Sequence, residues 1–216
     1  MTALLVIAKE PVAGRVKTRL TPAFSPGQAA ALAEAALADT LHTVAQLPAE
    51  RRVLVLAGEV GPWLPGGFEV VPQVSGGLDE RLAAAFALCS GPAVLVGMDT
   101  PQLAADYLAP ALAPGAWRGV DAWFGPALDG GFWALGLAAP DPGLLLGVPM
   151  SVPRTGAVQR QRLTDAGLVV RDLPHLRDVD TAHDARLVAA EAPHSRFAAL
   201  HARLTASARP TEVPAR

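Results

Sequence analysis

The stretch AKEPVAGRVKTRLTP, residues 8–22, holds four cations, Lys9, Arg15, Lys17 and Arg19, against a single acid, Glu10, and follows at once on the apolar run ALLVIA. Lysine and arginine side chains beside backbone N–H groups left open by Gly14 can bind phosphate through charge-assisted hydrogen bonds and can stabilise charge on a departing pyrophosphate. The competing reading is a basic loop that faces only water. The spacing is neither G-x-x-x-x-G-K-[ST] nor G-x-G-x-x-G, which disfavours a P-loop NTPase and a dinucleotide dehydrogenase of the ordinary kind.

Three acids complement this loop. The run VLVGMDTP carries Asp99 just past the end of an otherwise apolar strand, where a carboxylate either caps the next helix or meets a cation; a hard divalent ion such as Mg²⁺, carried by substrate phosphates, suits it. Asp178 and Asp180 in RDVDTAHD are two apart, so in extended chain both side chains leave the same face and can approach one ion; Asp180 could instead cap the following helix. The segment ALDGGFWALGL presents Asp129, Gly130 and Gly131, either a backbone open to a ligand or an ordinary Asp-Gly turn. Gly76, Gly77 and Arg81 in SGGLDERL open a helix, as an anion or sugar contact or as a capped helix with a surface ion pair to Glu80. Ser151 and Thr155 could touch an acceptor, but no G-x-S-x-G elbow accompanies them. The five histidines lack metal spacing with Cys or Glu partners and are read as structural or exposed.

The elements that must carry these residues alternate. LLVIA, RVLVLAG, FEVVPQ and AVLVG are short apolar strands that suit burial on both faces of a parallel sheet. Between them run a helix beginning at Ser25-Pro26, a helix over LDERLAAAFALCS, and one over QLAADYLAPAL that Pro110 interrupts. Beyond residue 119 two strands are joined by the Gly-rich turn, then come a helix stopped by Gly167, a short strand at VVRDLP, a helix capped by Thr181, and a last helix over HSRFAALHARL. The reading is a three-layer α/β/α sandwich with a mixed, mainly parallel sheet, a single domain over residues 1–204 and a disordered tail over 205–216. A ligand belongs at the carboxyl ends of such strands, where the basic loop and Asp99 lie.

The chain has 216 residues and a formal net charge of -2, so no global basic field points to nucleic acid or to an anionic membrane. Its single cysteine, Cys89, excludes an internal disulfide and a multi-cysteine zinc site and is read as a buried inert thiol. With no leader pattern and no long apolar run, a cytoplasmic location is expected.

The motifs AKEPVAGRVKTRL, GGLDERL, GMDTP, GPALDGGFWALGL and RDVDT, in that order over residues 3–190, resemble the DUF2064 group, also described as GT-A-type glycosyltransferases associated with radical-SAM/selenodomain proteins. More distantly the chain is similar to the GT-A nucleotidyltransferases, including the molybdenum-cofactor guanylyltransferases and those of coenzyme F420 synthesis. The resemblance implies a GT-A (nucleotide-diphospho-sugar transferase) Rossmann-like fold and a divalent ion, Mg²⁺ or Mn²⁺. It implies Arg15, Lys17 and Arg19 on nucleotide phosphates, with Lys9 on the same loop, and Asp99, Asp178 and Asp180 on the metal. The partners expected are an NTP or nucleotide sugar and a small phosphate- or carboxylate-bearing acceptor, with nucleotidyl transfer as the reaction, glycosyl transfer as its alternative, and a non-catalytic nucleotide-binding module as a third. The chain lacks the GGxSxRMGxDK opening of the molybdenum-cofactor enzymes and has Asp79 and Phe132 where the closer group commonly has Gly and Tyr.

Overall fold

Leu4, Val6 and Ala8 alternate with Ala3, Leu5 and Ile7 along the first strand, and both sets are apolar, so the strand can sit only where each face is covered. A computed structural model, which describes residues 1–207, shows that arrangement. Strand β1 (Ala3–Lys9) lies between β2 (Arg52–Ala57) and β4 (Ala93–Gly97), parallel to both, and β3 (Glu69–Pro72) continues the parallel part beyond β2. Strand β6 (Phe132–Leu137) runs antiparallel between β4 and β5 (Ala122–Pro126), and β7 (Val170–Asp172) closes the far edge parallel to β5. The order is β3-β2-β1-β4-β6-β5-β7, so the chain reverses direction across the sheet between β1 and β4. The carboxyl ends of those two neighbours define a crevice of the kind in which open α/β sheets bind ligands.

Two apolar layers cover the sheet. On one face α1 (Pro26–Gln46) and α3 (Ala105–Leu112) bring Leu37, Leu41 and Leu108 against Leu4, Val6, Leu54 and Val96. On the other, α2 (Leu78–Phe86) and α4 (Thr155–Asp165) bring Leu82, Phe86 and Leu163 against Leu5, Val53, Leu95 and Phe124. Each fully buried leucine or phenylalanine of this kind contributes about 1.5–3 kcal/mol. Helix α6 (Arg196–Ser207) packs on α1 and α5 (Ala182–Glu191) packs on α6, in a cluster that includes Leu20, Phe24, Leu32, Val188 and Phe197, and Asp39 of α1 accepts from the backbone N–H groups of Arg196 and Phe197 at the start of α6.

Several boundaries differ from expectation. Helix α2 ends at Phe86, short of Cys89, which is half-buried with its thiol pKa pushed up by burial. Helix α3 begins at Ala105 and runs on to Leu112 through Pro110, which does not interrupt it. Residues 205–207 of the expected tail belong to α6, and 208–216 lie outside the described residues. No described helix is long and apolar enough to cross a membrane.

Candidate functional site

The basic loop leaves β1 and is pinned at its far end. Val16 is 8% exposed and Leu20 1%, and a turn of 3-10 helix, Thr18–Leu20, hands the chain to α1. Burial of two apolar residues among the cations rules out a loop that merely faces water. It turns Lys17 inward, to a side-chain exposure of 9%, while Arg15 and Arg19 stay in solvent. Lys17 adopts left-handed backbone, φ 48°, which is uncommon for a residue with a β-carbon.

The acids reach the same point from two other elements. Asp99 follows β4, and its alternative role as a helix cap fails because α3 begins at Ala105, after Ala104. Asp180 is likewise not a cap: Thr181 caps α5, with Asp184 completing the reciprocal box. Lys17 Nζ lies 2.8 Å from Asp99 Oδ1 and 3.1 Å from Asp180 Oδ1, and Arg19 Nη1 lies 3.6 Å from Asp180 Oδ2. The two carboxylates are therefore within about 6 Å of each other, joined through one ammonium.

Asp178 faces the same crevice and its Oδ1 is buried without a hydrogen-bond partner. Burial, reinforced by the charges of Asp99, Asp129 and Asp180 and opposed by Lys17, pushes its carboxyl up to about 7. Burial works against the charge on Lys17, but Asp99 and Asp180 outweigh it and hold its pKa above the usual lysine value. Among the described residues no three His, Cys, Asp or Glu side chains stand in a metal-ligating arrangement, and the ammonium of Lys17 lies between Asp99 and Asp180. The donor chemistry nonetheless suits a hard divalent cation: oxygen ligands only, with an unpartnered buried carboxylate oxygen among them.

These residues line one wall of a cleft of about 800 Å³. Lys9, Arg15, Gly76, Gly77 and Arg81 also line it. Gly76 has a φ of 114°, which glycine alone adopts readily, and its carbonyl accepts from Arg81 Nε at 3.0 Å. Glu80 accepts from the Gly77 N–H at 2.7 Å, so the helix is capped, and Arg81 pairs with main chain rather than with Glu80. Asp79 accepts from the Gly147 N–H at 2.9 Å, which holds its carboxyl below the usual range and ties α2 to the segment carrying Ser151.

On the opposite wall one expectation fails and another is qualified. Thr155 lines the cleft, but its hydroxyl holds a turn at the start of α4, bonded to the carbonyls of Pro149 and Val152 at 2.8 Å and to the Val152 N–H at 3.1 Å. Gly130 does not open onto the cleft; a β-carbon there would stand 1.9 Å from the Pro153 carbonyl oxygen, so the glycine exists to let the hairpin turn pack on the start of α4. Asp129 and Gly131 do line the cleft, with Asp129 accepting from the Gly131 N–H at 2.8 Å. Ser151 lines it too, at φ 59°. Among the described residues, Ser151 and Lys17 are the only non-glycine residues with positive φ, and they border the same cleft from different loops.

Sequence reasoning passed over Gln73. Its side-chain amide donates to the carbonyls of Ala8 at 2.7 Å and Val55 at 3.1 Å, fixing it at the cleft floor between the ends of β1 and β2. Its place just after β3 in a parallel sheet was the available signal.

The family described as an uncharacterized protein conserved in bacteria, DUF2064, matches residues 28–152. The chain belongs to the DUF2064 family. The matched region carries Asp99 and the Gly76–Arg81 and Asp129–Gly131 segments, and the basic loop, Asp178 and Asp180 of this DUF2064 protein lie outside it. It is similar, at 26% identity, TM-score 0.84 and 95% coverage of both chains, to a Desulfovibrio desulfuricans G20 protein described as a "putative nucleotide-diphospho-sugar transferase". The fold is shared with 2-C-methyl-D-erythritol 4-phosphate cytidylyltransferase of Thermus thermophilus, at 14% identity and TM-score 0.52 over 95% of this chain and 100% of that one. It is shared also with glucosyl-3-phosphoglycerate synthase of Mycobacterium tuberculosis, at 13% identity and TM-score 0.51 over 98% of this chain and 81% of that one, a structure in complex with Mn²⁺, UDP and glucosyl-3-phosphoglycerate. No curated protein matches the chain. The fold of this DUF2064 protein is that of the GT-A and nucleotidyltransferase Rossmann-like group.

Proposed function

We propose that the protein is a metal-dependent transferase that takes a nucleoside triphosphate or a nucleotide sugar and transfers the nucleotidyl group to a small phosphate- or carboxylate-bearing acceptor. The observation that carries the reading is the meeting of Lys17 with Asp99 and Asp180 at the ends of β1 and β4, on the wall of a cleft that has room for a nucleotide and an acceptor together. In this reading Arg15 and Arg19, exposed beside the cleft, hold the outer phosphates. With a nucleoside triphosphate as donor, an acceptor oxygen attacks the α-phosphorus, the bond from that phosphorus to the bridging oxygen breaks, and the basic loop stabilises the pyrophosphate that leaves. Asp99, Asp178 and Asp180 would hold Mg²⁺ or Mn²⁺, which when bound neutralises phosphate charge. The wall from Asp129 to Ser151 orients the acceptor, and no covalent intermediate on the chain is required.

Glycosyl transfer is the second reading, favoured by the description of the Desulfovibrio protein as a nucleotide-diphospho-sugar transferase; the same diphosphate site would serve while the sugar C1–oxygen bond breaks. A thermal-shift screen of nucleoside triphosphates and nucleotide sugars, with and without Mn²⁺, separates the two. A ligand at a hundred times its dissociation constant stabilises by about 2.7 kcal/mol. Triphosphate hits select nucleotidyl transfer and nucleotide-sugar hits select glycosyl transfer. Silence from both overturns the transferase reading.

A further inference from the structure

We propose that Lys17 holds the divalent-ion position in the ligand-free protein, so that the chain takes up its metal together with the nucleotide phosphates rather than before them. The inference rests on the reading of Asp99, Asp178 and Asp180 as ion ligands and adds an order to their use. An ammonium at 2.8 Å and 3.1 Å from the two carboxylates occupies the space an ion would need to touch both, because metal–oxygen distances are about 2.0–2.1 Å for Mg²⁺. Cation and ammonium therefore exclude each other.

Three features make the ammonium a placeholder instead of a permanent partner. Its single charge faces Asp99 and Asp180 directly, with Asp178 and Asp129 close enough to act on one another electrostatically, and Asp178 Oδ1 remains unpartnered. Lys17, with the exposed Arg19 reaching only Asp180, leaves an excess of acids in the pocket ready for a stronger cation. The backbone of Lys17 is left-handed, φ 48° and ψ 38°, a conformation whose cost is recovered when the residue moves. Buried Val16 and Leu20 bracket it, so the movement is confined to the residues between those anchors.

Expelling the ammonium into the cleft breaks its ion pairs with Asp99 and Asp180, and phosphates, when present, supply replacement anions. A free ion must bear that loss, whereas an ion arriving with phosphates supplies the new partner. Metal and phosphate thus bind with positive coupling, and the coupling is reciprocal. Mn²⁺ binding is measured by calorimetry or electron paramagnetic resonance on wild type, Lys17→Gln and Lys17→Gly, with MnCl₂ alone and with MnCl₂ plus inorganic pyrophosphate. Glycine tolerates the left-handed backbone, so Lys17→Gly retains the fold, and Lys17→Gln keeps the backbone strain that lysine already bears there. Expected is a gain of about tenfold or more in affinity for Mn²⁺ alone in both variants, and a wild-type enhancement by pyrophosphate of about tenfold that shrinks in them. Equal affinity for Mn²⁺ alone in all three proteins, with pyrophosphate still enhancing it, overturns the placeholder and leaves the transferase reading intact. Failure of all three to bind Mn²⁺ under either condition removes the ion site and the reading with it.

Discussion

The Val179 N–H donates to the Asp99 carbonyl oxygen at 2.9 Å, a main-chain bond that fastens the segment after β7 to the end of β4 and sets Asp178 and Asp180 on either side of the fastening. Gln102 strengthens it by donating from its amide to the Arg177 carbonyl at 2.7 Å. The chain that carries the acids is thereby fixed by backbone bonds in addition to the ion pairs of Asp99 and Asp180 with Lys17.

Above its raised pKa of about 7, Asp178 carries a buried charge whose Oδ1 has no hydrogen-bond partner, and such a charge costs stability in the absence of a cation. Asp178→Asn is expected to stabilise the metal-free protein at pH 8 by on the order of 1–3 kcal/mol while abolishing transfer activity. Urea denaturation in the presence of a chelator checks the first part. Added Mn²⁺ with nucleotide should stabilise wild type more than the variant, and a destabilised Asp178→Asn protein would show that the carboxylate has a structural partner after all.

Arg15 and Arg19 are exposed, so replacing either with Ala should leave folding unchanged. If they hold outer phosphates, each replacement weakens nucleotide binding by about 1.5–3 kcal/mol. The loss should be larger for a triphosphate than for a monophosphate, and the wild-type affinity should fall with added salt. Calorimetric titration with mono-, di- and triphosphates measures the series; uniform losses would place the arginines elsewhere on the ligand.

Gly130 has φ 89° and no room for a β-carbon beside Pro153. Gly130→Val should cost about 3 kcal/mol or more through backbone strain and overpacking together. Gly131→Val, facing the cleft beside Asp129, should cost less stability and impair acceptor use. Thermal denaturation compared with acceptor KM separates the two glycines, and equal stability losses would assign both to folding.

Asp184 completes the α5 capping box by accepting from the Thr181 N–H at 3.0 Å and hydroxyl at 2.7 Å, and pairs with Arg177 at 3.0 Å. Burial acts to raise its pKa, but the Thr181 bonds and Arg177 prevail and hold the carboxyl below its ordinary value of 3.8. A depressed carboxylate stabilises the fold above its unfolded pKa, and that contribution disappears as pH falls through the lower folded pKa. Asp184→Ala should therefore cost about 1 kcal/mol at pH 7. The gap from wild type should narrow below pH 3.8. Denaturation midpoints at the two pH values test this, and because Thr181 adjoins Asp180, nucleotide affinity should weaken alongside.

Much of the architecture was legible locally. Strands apolar on both faces demand cover on both sides, and the Ser25 and Thr181 caps act within three residues of themselves, so their signals survive in a bare chain. The roles of Asp99, Lys17 and Gly130 were not local. Asp99 could be read as a cap until α3 was seen to start at Ala105. Lys17 and Asp180 meet across a separation of 163 residues, and nothing in either neighbourhood says that β4 lies beside β1 or that the chain after β7 returns to that edge. The sequence read alone aimed Lys17 at phosphate, but in the folded chain two carboxylates supply the nearest negative charge. Gly130 reads as an open turn until Pro153, from a distant loop, occupies the space a side chain would need. Pattern and caps depend on interactions a few residues apart and are set by sequence. Charge pairing and crowding at the site depend on strand order, which is decided when the two apolar layers close on the sheet and bring its strand ends together.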